Sequence, residues 1–538
     1  MTTQRLAFAL PLIIASLTCG TYSADLNVPG QHKTIQAAIN AASSGDTVLV
    51  ASGVYNERIK LKAGVTLRSV GDNSKGKLGL KRAEATIIDG GGDKGTGAGV
   101  DMAEGSTVDG FTVRNVGLYD DAAWNKHYAT QGEQQEYEHI GAPGIAGIAA
   151  MGVNCTIRNN IVYHIGYTGI AAGGMGKAAA PLVINNISYR NMGGGIGAMK
   201  GSKATIQGNT CFENFYAGIG HEGHAVPTVI ENICYNNVRA GIGISEGASP
   251  VVKRNRCYKN RRAGIGIRTG QDTRPLVEDN DCYDNDMAGI GTREDAAPTI
   301  QNNRCYRNKM AGIGSRTGAT PTIIGNECYE NGRSGIGQMS GTKTVLKNNY
   351  LHHNKASGMG YARGRGGEST VENNRVIDNG LVAVGVNPGW KVTLTGNEFS
   401  RKGGLPPIIM VFSGSTATFK NNVIRGGGVA GIRAAGTVIA EGNEFAGTSL
   451  RRVGPPNFAI WGLKGSRVEM KGNKVNSWRH ALSSGEGHVT ATGNQVSNFH
   501  RAAFVISKAA SAPNVSGNQI SGGGKGAVEL LVDGKSVN

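Results

Sequence analysis

Small apolar residues return at a fixed step along most of the chain. Cys211, Cys234, Cys257, Cys282, Cys305 and Cys328 are spaced by 23 residues, once by 25. The Gly-Ile-Gly triplets that begin at Gly218, Gly241, Gly264, Gly289, Gly312 and Gly335 keep that step, as do Pro227, Pro250, Pro275, Pro298 and Pro321. One unit reads P-x-(I/V)-x-x-N-x-C-Y-x-N-x-x-A-G-I-G. Its apolar positions alternate over two or three residues and are separated by Asn or Gly. That pattern predicts three short strands per unit and no helix. Looser copies end near Asn397, Asn422, Asn443, Asn473, Asn494 and Asn518. Self-similarity at this period predicts a stack of coils.

Alternation assigns the faces. Each Cys is expected inside, one strand spacing from the next, either as a small inert hydrophobe or in a vertical disulfide. Asn255, Asn280, Asn303 and Asn326 fall where the chain turns, where Asn tolerates left-handed backbone and can hydrogen-bond along the stack. The residue after each Cys points out, giving an aromatic column from Tyr163 to His352 that can stack on itself or offer flat faces to sugars. In the Gly-Ile-Gly strand, Ala240, Ile242 and Ile244 are expected inside, so that Gly241 and Gly243 form two bare outward columns. A held Gly marks close approach of a ligand or of another backbone; a sharp coil corner is the alternative. One border of this trough holds Tyr216, Arg239, Arg262, Met287, Met310 and Arg333. The other holds Glu222, Ser245, Arg268, Arg293, Arg316 and Met339. Guanidinium forks match carboxylates and sulfates, which makes Tyr216, Arg239, Arg262, Arg268, Arg293 and Arg316 candidate binding residues. An insertion, Leu118 to Gly147, interrupts the repeats. It carries Asp120, Asp121, Trp124, His127, Tyr128 and His139 and is expected to lie against the trough as a lid or wall, with Trp124 as a further contact.

The stretch KTIQAAINAASSGDTVLVASGVYNERIKLKAGVTLRSVG sets Ile35, Ala38, Ile39 and Ala42 on one helical face. Together with the repeats it resembles the right-handed parallel β-helices of the pectin-lyase-like superfamily, with a start like that of pectin methylesterases and copper-associated NosD-type periplasmic proteins. The resemblance implies an all-β, single-stranded right-handed parallel β-helix (β-solenoid) of about 17 coils with a short N-terminal capping helix. Residues 25–99 would form the cap and first coils, and residues 100–538 the repeats. That scaffold hosts lyases, hydrolases, esterases, epimerases and pure binders, so the fold alone carries no function.

Composition narrows the partners. The 84 glycines among 538 residues are more than twice the usual share of about 7%, and the net charge is +17. Such an excess favours anionic partners. Residues 1–24 read as an export signal, with Arg5 before the apolar run LAFALPLIIASL. Leu17-Thr18 before Cys19 departs from a lipobox. Export turns the reading from nucleic acid toward acidic polysaccharide, and no later stretch is apolar enough for a membrane helix.

The catalytic signatures of familiar enzymes with such repeats are absent: WxDH of pectate lyases, GxxDFIFG of methylesterases, the ordered polygalacturonase set, and Asp-Pro-His-Asp of alginate epimerases. The densest titratable cluster is GHEGH, where His221, Glu222 and His224 are candidate ligands for a divalent metal. Elimination on a uronate needs a cation for the carboxylate and a base for the α-proton. Arg268 or Arg293 are candidates for the first, and His221, Tyr216 or a residue of the insertion for the second; Glu222 is a further catalytic candidate. Two functions follow as expectations. The chain binds acidic polysaccharide along the trough, with lyase or epimerase chemistry as one form of this. Alternatively it is a non-catalytic periplasmic or surface module with a structural or interaction role, metal association being one form of this.

Overall fold

Each unit folds into three strands of three residues, because Asn or Gly interrupts the apolar alternation before a longer strand can form. One coil runs through Leu276–Glu278, Asp281–Tyr283 and Ile290–Thr292. Each strand pairs in parallel with its counterpart one coil on: Val277 with Ile300, Cys282 with Cys305, Ile290 with Ile313. This computed structural model describes residues 23–93, 96–130, 132–135, 140–448, 450 and 453–537. Residues 1–22, most of the stretch expected to be an export signal and Cys19 with it, and His139 lie outside the described residues.

Three sheets result, two with 20 strands and one with 19 among the described residues. The solenoid has about 22 turns, which corrects the expected 17. The shortfall came from coils that lack the Cys-Tyr and Gly-Ile-Gly marks. Asp25–Val28, Thr47–Val50 and Thr66–Ser69, for example, pair in succession with neither mark. At about 4.8 Å per coil the shaft is about 100 Å long.

The core is a set of vertical ladders. Val277, Cys282 and Ile290 are fully buried. The Cys residues stack in register from Cys211 to Cys328 and are free thiols, so the vertical-disulfide alternative is not realised. Burial pushes the thiols of Cys234, Cys282 and Cys328 up.

Asn forms two ladders. In the first, Asn303 Oδ1 accepts from the backbone N–H and the Nδ2 of Asn280, and Asn303 Nδ2 donates to Asn326 Oδ1. The second runs through Asn260, Asn285, Asn308 and Asn331, the Asn that follows Cys-Tyr in each unit. The left-handed residue is the one before each ladder Asn, such as Asp279 (φ 54°) and Asn302 (φ 55°). Asn280 and Asn303 thus hydrogen-bond along the stack as expected, and only the left-handed backbone expected of them is corrected, since it falls on their neighbours.

Outside, the aromatic column is stacked on itself from Tyr163 to His352. Its centroids are 4.8–5.1 Å apart and its planes 3–18° from parallel. The ring faces are therefore occupied by one another. At one end of the shaft the helix Ile35–Ala41 covers the first coil with Ile35, Ala38 and Ile39 fully buried. Thr34 caps it, and the Glu57 carboxylate accepts from the N–H groups of Ile35 and Gln36. At the other end Val528–Val532 is paired antiparallel by Lys535–Val537. Among the described residues, no helix is long and apolar enough to cross a membrane.

Candidate functional site

The two glycines of Gly-Ile-Gly do opposite jobs. A Cβ on Gly241 would lie 2.7 Å from the Gly264 carbonyl oxygen, 2.9 Å from Asn260 Nδ2 and 3.0 Å from Cys257 Cβ. Gly241 is therefore pressed against the next coil and the Asn ladder. Gly243 faces out, and a Cβ there meets only the Ala217 Cβ at 3.3 Å. The expected pair of outward Gly columns is corrected to one Gly column beside one Ala column, with Ala240 outside. The strand proper is only Ile242–Ile244, so alternation carried back to Ala240 fails at the corner.

The outward column is glycine without interruption from Gly197 to Gly385, bounded by Ala171 and Met410. This floor is about 40 Å long at the coil spacing. Nothing in the fold demands glycine at its centre. An added Cβ finds no atom within 4 Å at Gly220, and only an Ala methyl at 3.6 Å at Gly266 and 3.7 Å at Gly291. None of the three has positive φ. The groove above has a volume of about 910 Å³.

Its borders are the two columns laid out above. Tyr216, Arg239 and Arg262 stand on one side; Glu222, Arg268, Arg293 and Arg316 stand on the other. Some of these cations are engaged. The Arg239 guanidinium lies 4.5 Å over the Tyr216 ring, and Arg262 donates to the side chain and backbone oxygens of Gln135 at 2.9 Å. Arg293 pairs with Glu294 at 3.2 Å. The side chains of Arg316 and Arg333 make no hydrogen bond or ion pair among the described residues.

The insertion folds as a helix, Asp121–Ala129, capped by Asp120. Trp124 is 3% exposed, packs on Met192, Phe215 and Val238, and donates to the Glu213 carbonyl. It anchors the insertion to the shaft and does not line the groove, which corrects its expected role as a ligand contact. The insertion reaches the groove through Gly132 and Gln135. It is thus a wall at one end, held by Arg261 and Arg262.

GHEGH does not converge. His221 points inward in the slot of Ile244, with both ring nitrogens lacking a partner among the described residues. Glu222 is exposed on the groove border. His224 is exposed and stands 3.7 Å from Asp272. Strand alternation separates the first two, and the loop carries the third away. Among the described residues, no group of three His, Cys, Asp or Glu is placed to hold a metal. His221 is likewise cut off from the groove as a base.

Burial drops the His221 pKa to about 3. Its folded pKa lies below the unfolded value of about 6.5, so the neutral ring contributes its full stability above pH 6.5 and loses it as pH falls toward 3. His221→Ile is expected to stabilise the protein in acid, by on the order of 3 kcal/mol relative to wild type at pH 4. Denaturant titrations at pH 7 and pH 4 check this; a gap that does not widen in acid overturns it.

Sequence reasoning missed Tyr167, which lies at the insertion end of the groove with its ring 5.8 Å from that of Tyr216, edge to face. The two phenols are hydrogen-bonded, and burial pushes both up. Tyr167 precedes the coils that carry the Cys mark, so only its register could have revealed it.

Fold and groove together define a parallel β-helix with one long, cation-bordered, backbone-floored track. The chain belongs to the right-handed β-helix family: the model described as a right handed beta helix region matches residues 138–275, 252–399 and 382–537. No curated protein matches the sequence. Among solved structures, the chain is similar to the A-module of the Azotobacter vinelandii mannuronan C-5 epimerase AlgE4, with 17% identity, 73% of this chain and 90% of that chain covered, and a TM-score of 0.37. It is also similar to the periplasmic alginate epimerase AlgG (13%, 74% and 82%, TM-score 0.34) and to the Dettilon tailspike protein (13%, 74% and 68%, TM-score 0.37). At these identities the likeness concerns the fold alone.

Proposed function

We propose that this is an exported protein that binds acidic polysaccharide lengthwise in the glycine-floored groove. The observation that carries the reading is a floor left bare for about 40 Å, although central positions such as Gly220, Gly266 and Gly291 have room for a methyl group. A side-chain-free floor lets a flat polymer approach the backbone, and a held Gly is the usual device for such approach. Arg on both borders supplies planar donors for carboxylates, and the net charge of +17 attracts polyanions from a distance. Substituting Arg268→Ala with Arg293→Ala is expected to bring the protein off an immobilised polyuronate at clearly lower salt, with unchanged circular dichroism. Elution at the wild-type salt concentration sinks the groove as the binding track.

A second reading, β-elimination within that groove, is favoured by the hydrogen-bonded phenols of Tyr167 and Tyr216 beside Arg239. Held protonated by burial, they enter as proton donors, and Glu222 on the facing border raises them further. In such a step a base, with Glu222 as candidate, takes the proton α to the uronate carboxylate. The electron pair forms the C4–C5 double bond, the glycosidic C4–O bond breaks, and a phenol protonates the leaving oxygen. Incubation with a panel of acidic polysaccharides, with and without calcium, tests it by ultraviolet absorbance of unsaturated ends. A flat trace on every polymer removes elimination and leaves binding.

A further inference from the structure

The outward column does not end with the glycine floor. Beyond Gly385 the same register position is taken by Met410, Arg433 and Trp461 in successive coils. Met410 is 9% exposed; Arg433 and Trp461 are half-buried. The Arg433 guanidinium lies 5.1 Å over the Trp461 ring.

What sets Arg433 apart is its lack of a partner. Neighbouring Arg side chains on these coils are satisfied: Arg401 by the carbonyls of Leu381, Gly380 and Gly403, Arg425 by Glu444, Arg467 by Glu469. Arg433 makes no hydrogen bond or ion pair among the described residues, and its Nε is buried without an acceptor. The Trp461 indole N–H has no acceptor among them either. A partly desolvated cation and an indole donor, both unmatched and side by side, form a site that lacks an anion. The ring adds an apolar face suited to a pyranose, and stacking fixes the guanidinium where a carboxylate would meet it.

We infer that Arg433 and Trp461 form a second saccharide subsite for an acidic sugar, in line with the groove and separated from its glycine floor by Met410. The inference rests on the groove reading. It lengthens the bound polymer from about 40 Å to about 50 Å at one coil spacing per step.

Tryptophan fluorescence gives a direct test. The chain has four Trp, of which Trp124, Trp390 and Trp478 are 3% exposed or less. Collisional quenching by acrylamide therefore reports on Trp461. Size-fractionated oligouronates are titrated in two pools, one short enough to lie within the floor and one long enough to span both sites. The long pool is expected to shield Trp461 and to bind more tightly, and the short pool to leave quenching unchanged. Arg433→Ala is expected to weaken the long pool on the order of tenfold and leave the short pool unaltered, which also certifies the fold. A conservative variant, Arg433→Lys, keeps the charge and is expected to recover part of the loss. Unchanged quenching with the long pool bound, or equal affinity of Arg433→Ala for it, overturns the subsite while the groove stands. No binding of either pool by wild type overturns the groove reading and the subsite with it.

Discussion

Gly264→Ala is expected to cost about 3 kcal/mol of stability in denaturant titration, whereas Gly266→Ala, two residues on, leaves the midpoint where it was. At position 264 the new methyl carbon would sit 2.7 Å from the Gly289 carbonyl oxygen, 2.9 Å from Asn285 Nδ2 and 3.1 Å from Cys282 Cβ. Two of those atoms belong to ladders fixed by hydrogen bonds to further coils, so relief requires one coil to lift from the next. At position 266 the nearest atom is the Ala240 methyl at 3.6 Å, an ordinary contact. The outward site can therefore be used to probe binding without disturbing the fold. Gly266→Leu raises a side chain from the middle of the floor and is expected to abolish retention on acidic polysaccharide at an unchanged melting temperature. A tolerated Gly264→Ala would mean that the inward assignment is wrong. Full retention by Gly266→Leu would mean that the ligand lies elsewhere.

Asn303→Leu has the other large expected effect, a loss of about 4 kcal/mol. The Asn303 amide accepts from the backbone and side chain of Asn280 and donates to the carbonyls of Val277 and Gln301 and to Asn326 Oδ1, at 2.9–3.0 Å. Leu has similar volume but takes the acceptor from the buried Asn280 backbone N–H and the side-chain donor from the Val277 carbonyl, while Asn280 Nδ2 keeps the Val252 and Glu278 carbonyls; a buried group left unmatched costs about 1–3 kcal/mol. Coils contact only their neighbours, so the damage stays local. Denaturation is expected to show a broadened, lower-midpoint transition as the coils on either side lose coupling. A sharp transition at the wild-type midpoint would show that the ladder contributes register and no net stability.

The period, the three strands per unit, the inward Cys and outward Tyr columns and the residues on both groove borders were all legible in the sequence, because each depends only on spacing and alternation. Alternation stopped being a guide where strands are three residues long. Gly241 turned inward at a corner that no two-residue period describes, and the left-handed residue fell on Asp279 and Asn302 instead of the Asn after them. Contacts across long separations were not legible at all. Nothing in the chain announces that Gln135 will meet Arg262, or that Trp124 will be buried against Phe215. Trp461 and Tyr167 were passed over because their coils lack the marks that set the count, and coil number is what places a residue on the groove face. The proximity of His221, Glu222 and His224 in sequence misled for the converse reason: adjacent residues on a strand point apart.

The column of free thiols gives the molecule a built-in set of position markers. Six free thiols stand at consecutive levels of the shaft, each fully buried and each reachable by an alkylating reagent only when its own coil opens. Because none of the six side chains is accessible in the closed state, labelling there is suppressed. The rate at each Cys then measures the opening of that level alone. Read by mass spectrometry, the six rates would map how far fraying penetrates from either end, and whether a bound polymer clamps the coils beneath it.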